Sequence, residues 1–210
     1  LHRTKRRNES QQLAKNGFSG IAKQLLRLKV DLLSIDDIFY THLHNDHIND
    51  LPGIIWSNNY GTLRKKPLNL FGPKTFRKYF NNLLRTILKP TKLNFRINLK
   101  EMWNDSIIRI SINNQIIDDG YSKNSSKVVI KSIRSKHTDS SVSYRIGYHG
   151  KSIVYSGDTD YSKEIIEISK DADLLILECS HPDGKKVKGH LTPSYCGKIA
   201  TKANVKKLIL

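Results

Sequence analysis

Thr41-His42-Leu43-His44-Asn45-Asp46-His47 (THLHNDH) is the stretch that decides how this chain is read. It follows Ile38-Phe39-Tyr40, a short apolar strand led in by Asp36-Asp37. Three imidazoles and a carboxylate between His42 and His47 are not explained by core packing, because histidine is seldom used to fill a core. Alternation along a strand points His42 and His44 the same way. The turn that follows can swing Asp46 and His47 back toward the same point. Imidazole and carboxylate together suit zinc and its neighbours in the transition series, so this segment is expected to form the core of a metal site.

Outward from that segment, the chain alternates between helical and strand patterns. Ile21, Leu25, Leu26 and Leu28 recur at helical spacing and predict an amphipathic helix ending near Val30. After Pro52-Gly53, Ile54 to Tyr60 reads as helical, and Pro67 to Gly72 reads as a strand closed by a Gly-Pro turn. Thr75 to Leu88 is a further helix, with Phe76, Tyr79, Phe80, Leu83, Leu84 and Ile87 on one face as core residues. Short β-branched runs at Ile107–Ile112, Val128–Ile133, Ser143–Tyr148 and Ser152–Tyr155 are strands of a sheet. Ser162–Ser169 is helical, Asp173–Leu177 is a buried strand, Ser194–Ala203 is a last helix and Lys206–Leu210 opens another strand. Residues 1–12 are polar and basic and read as a loop. Strands first segregated, then alternating with helices, describe a layered sheet protein with helices outside.

Composition bounds the rest. At 210 residues the chain suits one domain, enough to bury roughly two-thirds of its unfolded surface. No apolar run approaches the eighteen or so residues of a membrane span, and no stretch has a signal peptide's apolar centre, although a chain that starts at Leu1 leaves its true N-terminus open. Cys179 and Cys196, outside any C-x-x-C spacing, neither staple a fold nor form a zinc knuckle, which points to a reducing cytoplasm. The formal net charge of +17 fits a polyanionic partner such as RNA or DNA. A lysine-, asparagine- and isoleucine-rich composition accounts for it equally well, since lysines are scattered over nearly every segment. Basic clusters fall at Arg3–Arg7, Arg64–Lys66 and Lys185–Lys188.

One H-x-H-x-D-H cluster cannot close two metal shells, so more distant ligands are expected. His137 lies in a loop between strand-like runs, where a histidine taken alone reads as a surface residue. Asp158 ends a strand in Ser-Gly-Asp-Thr, where a carboxylate can bridge two cations or simply cap the next helix. His190 sits in Gly-His-Leu-Thr-Pro, just before a helix that Thr192 is placed to cap. Glu178 and His181 follow the buried strand and read equally as site support or as loop residues. No Gly-rich phosphate loop and no Ser or Cys nucleophile motif is present.

Taken in order, THLHNDHINDLPG, the run from His137 to Tyr144-Arg145-Ile146, SGDT, GHLTPSYCGKIA and VKKLIL resemble the metallo-β-lactamase superfamily, nearest to ribonuclease Z, the tRNA 3′-processing endonucleases. The resemblance runs from about Asn16 to Leu210. It implies that His42, His44 and His137 hold one metal, that Asp46 and His47 belong to a second, and that Asp158 bridges them. It also implies that Asp46 orients or deprotonates the attacking water and that His190 assists at the scissile phosphate. Two divalent cations are expected, zinc first, with manganese or iron as alternatives. The family carries a further ligating histidine in a position that would fall just beyond Leu210, and opening strands that are compressed or missing before Gly17. Many ribonuclease Z enzymes insert a tRNA-gripping arm where only twenty residues separate His137 from Asp158 here.

The expected fold is therefore an αββα sandwich, with two mixed sheets and helices on the outer faces, filling residues 1–210 as a single hydrolase domain that lacks the family's first strands and C-terminal end. The expected function is phosphodiester hydrolysis, with a tRNA precursor as the leading substrate. A small-molecule hydrolase acting on cyclic nucleotides or another ester is the alternative on the same fold, and a charge-driven nucleic-acid-binding chain without catalysis is the alternative of another class. A soluble cytoplasmic location without membrane contact is expected, and homodimeric assembly stays open.

Overall fold

A computed structural model describes residues 20–61, 64–86, 92–111 and 127–210. The expected N-terminal loop at residues 1–12, and Ile87, Leu88 and Ile112, lie outside the described residues. The chain divides into two compact units, Leu1–Glu101 and Met102–Leu210.

The first unit is organised on three parallel strands, β1 (Asp37–Phe39), β2 (Leu68–Gly72) and β3 (Ile97–Glu101), in the order β1-β2-β3. Register places Asp37, Asn69 and Asn98 side by side. Their side chains form a ladder in which Asn98 Nδ2 donates to Asn69 Oδ1 at 2.8 Å and Asn69 Nδ2 donates to Asp37 Oδ1 at 2.8 Å. Every residue of β2 is buried, as a central parallel strand requires.

Helix α1 (Ile21–Arg27), the short α2 (Asn45–Ile48), α3 (Leu51–Trp56) and α4 (Phe76–Thr86) complete the unit. Ala22, Ile48, Leu51, Ile54, Ile55, Leu68, Leu70, Phe76, Phe80 and Leu83 form its core. Helix α3 starts earlier than the expected Ile54, because Pro52 sits in its first turn, where a missing N–H costs nothing. It continues into a π turn, Ser57–Gly61. Gly72 precedes α4 because a Cβ there would lie 2.3 Å from the Phe76 ring; the Gly-Pro turn is a close approach as well as a strand end.

Arg64 narrows one reading. It is fully buried, so of the Arg64–Lys66 run only the two lysines lie at the surface. Its guanidinium donates to the carbonyls of Ile35 (3.0 Å), Lys66 (2.8 Å) and Pro67 (2.7 Å) and to the Asp36 carboxylate. A buried cation is tolerated when paired and satisfied in this way, and here it ties the entry of β2 to the entry of β1.

The second unit is a six-stranded mixed sheet in the order β4 (Ile107–Ser111), β5 (Lys127–Arg134), β6 (Val142–Tyr148), β7 (Lys151–Tyr155), β8 (Leu174–Ile176) and β9 (Leu208–Ile209). β4 to β7 pair antiparallel, and β7-β8-β9 are parallel. The parallel pairs need crossovers, which α5 (Lys163–Ser169) and α6 (Pro193–Lys202) supply. Ile133, Val154, Ile165, Ile168, Leu175, Leu177, Leu191, Cys196 and Ile199 form the core. Ser162 caps α5, its Oγ accepting from Ile165 N at 3.4 Å, so Asp158 is not the cap. The expected cap of α6 differs too. Thr192 holds the cap position without capping. Asp183 instead accepts from Ser194 N (3.2 Å) and Ser194 Oγ (2.7 Å). Among the described residues no helix is long and apolar enough to cross a membrane.

Candidate metal centre

In the first unit, backbone pairing continues past β1, with Tyr40 N donating to Phe71 O at 2.8 Å. The chain bends at Thr41 and is extended at His44, which occupies the N-cap position of α2. Alternation then works as expected. Leu43 packs against the core, while the His42 and His44 rings lie side by side, with centroids 4.8 Å apart. Helix α2 is the turn that brings back His47, whose ring centroid is 4.1 Å from that of His42. His47 Nε2 lies 3.2 Å from Asp46 Oδ2. His42 is fully buried, and its Nδ1 meets Thr41 Oγ1 at 3.1 Å. Asp46 is exposed and His47 half-buried. Three imidazoles packed ring against ring with a carboxylate fit a divalent cation by their chemistry, and nothing in hydrophobic packing asks for them.

In the second unit, His137, Asp158 and His190 come together from three connections: β5–β6, β7–α5 and β8–α6. His137 Nε2 lies 3.7 Å and His190 Nδ1 4.0 Å from Asp158 Oδ2, and the His137 and His190 rings meet edge-on at 4.8 Å. His137 Nδ1 lies 3.0 Å from the Gly189 carbonyl. A carbonyl only accepts, so Nδ1 carries the hydrogen and Nε2 presents its lone pair beside Asp158.

Glu178 is the residue the sequence left undecided. One ligand atom each from Asp158, Glu178 and His190 lie within 4.8 Å of one another, which would suit a cation. The Glu178 carboxylate is nevertheless already occupied. Oε1 accepts from Thr159 N (3.0 Å) and faces His190 Nδ1 (3.1 Å). Oε2 accepts from Ser180 N (3.1 Å), Ser180 Oγ (2.8 Å) and Leu191 N (3.2 Å). With five donors around two oxygens, Glu178 ties Thr159, Ser180 and Leu191 together and fixes the His190 ring. The His181 ring approaches His190 edge-on, with centroids 5.5 Å apart, and the His181 backbone N–H donates to the Leu191 carbonyl at 3.2 Å.

Asp160 was not singled out by any sequence signal. Burial works to raise its carboxyl, but donors from Lys186, Gly189 and Tyr161 outweigh it and hold the group below the usual carboxylate range. Tyr155, on β7, is shifted the other way: burial pushes its phenol up, and the Asp158 charge adds to the effect.

Imidazoles and carboxylates gathered on the loops after strands of an α/β protein define a metal-dependent hydrolase. Residues 16–210 match the family model of the beta-lactamase superfamily domain, and the chain belongs to that superfamily. Its fold class is accordingly the αββα metallo-β-lactamase fold, and it is a metal-dependent enzyme that binds divalent cations. The chain is 24% identical to ribonuclease Z of Brevibacillus brevis over 91% of its own length and 72% of that protein's. It is 28% identical to ribonuclease Z of Listeria monocytogenes, covering 89% of this chain and 73% of that one. The crystal structure of human tRNase Z, short form, superposes with a TM-score of 0.70 at 25% identity, over 88% of this chain and 75% of that chain.

Proposed function

We propose that this chain is a ribonuclease Z-like endonuclease that cleaves a phosphodiester bond at the 3′ end of a tRNA precursor. The observation that carries the proposal is the clamped His190: a histidine held by a carboxylate and beside Asp158 is equipped for proton transfer at a phosphate ester, not for cation binding alone. Likeness to ribonuclease Z proteins along most of the chain supports the substrate class, and so does a net charge of +17.

In this reading His42, His44 and His137 hold one cation, Asp46 and His47 belong to a second, and Asp158 bridges. When bound, the two cations, zinc first, would supply Lewis acidity, making the attacking water more acidic and neutralising charge at phosphorus. Asp46, exposed at the start of α2, receives the water's proton on its carboxylate. Glu178 keeps a hydrogen on His190 Nδ1, which leaves Nε2 to exchange a proton with the leaving oxygen. The Thr159, Ser180 and Leu191 N–H groups keep Glu178 from rotating away.

A second reading, a small-molecule phosphodiesterase, is favoured by the short path between His137 and Asp158, which the β6–β7 hairpin fills without an inserted arm. Turnover on a precursor tRNA with a 3′ extension, a cyclic nucleotide and a generic phosphodiester separates the two. Endonucleolytic removal of the extension, faster than cleavage of either small substrate, is the expected result. Preference for the cyclic nucleotide would replace the first reading with the second.

A further inference from the structure

The proposed chemistry leaves the Asp160 carboxylate unused, although it is buried and fully engaged. Its Oδ1 lies 2.8 Å from Lys186 Nζ and accepts from Tyr161 N at 2.7 Å. Its Oδ2 accepts from Lys186 Nζ at 2.9 Å and Gly189 N at 3.1 Å. The Asp160 N–H donates to the Lys136 carbonyl at 2.8 Å. One residue thus joins the connection that carries His137 to the connection that carries His190.

Gly189 is where the two meet. Its N–H is tied to Asp160, and its carbonyl receives His137 Nδ1–H at 3.0 Å. Its φ of +89° suits glycine, and an added Cβ would lie 3.1 Å from His137 Nδ1. A neutral histidine side chain in water favours the opposite tautomer, with hydrogen on Nε2. The Gly189 carbonyl must therefore be held in place for His137 to offer its Nε2 lone pair.

We infer that Asp160, neutralised by Lys186, is a positioning residue for His137. By anchoring Gly189 it fixes the tautomer and pitch of the His137 ring and so sets cation affinity at that histidine. The inference rests on His137 being a ligand, as proposed above. Outer partners of ligating histidines act in this way, and their loss costs roughly 10–100-fold in metal affinity. Lys186 belongs to the Lys185–Lys188 cluster that the sequence offered as a polyanion surface; paired with Asp160, it supports the site from behind.

The test combines two readouts on the metal-free and zinc-titrated protein. Long-range proton–nitrogen NMR reports the His137 tautomer without metal, and competition with a chromophoric chelator gives zinc affinity. Asp160→Ala is expected to mix the His137 tautomers and weaken the tightest zinc by roughly 10–100-fold. Lys186→Met, which removes the ammonium but leaves the Tyr161 and Gly189 N–H donors to Asp160 in place, is expected to move both readouts in the same direction by less, and Asp160→Glu to recover part of the loss. His137→Ala serves as the reference and should weaken zinc at least as much as Asp160→Ala. If Asp160→Ala and Lys186→Met both keep the Nδ1–H tautomer and zinc affinity within twofold while His137→Ala weakens zinc, Asp160 has no positioning role. If His137→Ala itself leaves zinc affinity unchanged, the ligand assignment falls and takes the inference with it.

Discussion

Glu178→Gln changes one atom at the point where the proposed chemistry is most exposed to error. The carboxylate accepts at Oε1 from Thr159 N and His190, and at Oε2 from Ser180 N, Ser180 Oγ and Leu191 N. In glutamine one oxygen becomes an NH2 group. Placed at Oε1, it confronts Thr159 N–H and His190 Nδ1–H; placed at Oε2, it confronts Ser180 N–H and Leu191 N–H. Either rotamer leaves two N–H donors without an acceptor in a region where the Glu178 side chain is only 8% exposed. Each such donor costs roughly 1–3 kcal/mol, so a loss of about 2–6 kcal/mol is expected against a typical total of about 5–15 kcal/mol. The variant should fold with a lowered Tm. His190 can relieve the first rotamer only by accepting the amide N–H at Nδ1, which moves its hydrogen to Nε2 and pins the ring in the wrong tautomer. Turnover on a generic phosphodiester should then fall roughly 10²–10⁴-fold, with metal content per chain unchanged. Turnover within threefold of wild type would refute the role of the clamp. An activity loss matched by an equal metal loss would make Glu178 a ligand and refute the argument from its saturated oxygens.

Other expected outcomes follow from single contacts. Arg64→Met removes the cation closest to the largely buried Asp36 carboxylate and should cost about 3–5 kcal/mol in urea unfolding, part of which the double variant with Asp36→Asn recovers; a loss under about 1 kcal/mol would show that Arg64 is no pin. Asp173 is held well below the usual carboxylate range by the Lys206 ammonium, with help from the Ser152 N–H and Lys151. A depressed carboxyl contributes stability that is present above its unfolded value of about 3.9 and lost as pH falls through its folded value. Asp173→Asn should therefore lower stability at neutral pH and leave the acid limb below about pH 4 less steep, whereas an unchanged acid limb would count against the pairing. Burial first, then Cys179 and Glu178, push the Cys196 thiol up to about 12, so a thiol reagent at pH 8 should label Cys196 only after unfolding; prompt labelling of the native protein would contradict its burial.

The sequence was most legible where chemistry is local. His42, His44 and His47 could be placed together because strand alternation and one helical turn are short-range geometry, and α2 supplies that turn. The strands from Ile107 to Tyr155 announced themselves by β-branched runs and formed within a residue or two of expectation. What could not be read depends on distant partners. Glu178 meets Thr159 and His190, 19 and 12 residues away, and Asp160 meets Gly189 across 29, so no local pattern separated either from an ordinary loop acid. Arg64 read as part of a basic cluster because its carbonyl partner at Ile35 is 29 residues upstream. Thr192 occupied the right place for a cap, yet Asp183, eleven residues before the Ser194 N–H it accepts from, took the role because its loop folds back onto the start of α6.

The account stands on cations gathered by the H-x-H-x-D-H segment driving hydrolysis. The direct measurement is phosphodiester turnover followed against bound metal per chain as the chelated protein is reloaded with zinc. Turnover is expected to be absent in the metal-free protein, to rise with occupancy, and to be lost together with metal in His42→Ala. Full turnover in the chelated protein, or a His42→Ala variant that keeps both its metal and its rate, would contradict the central claim.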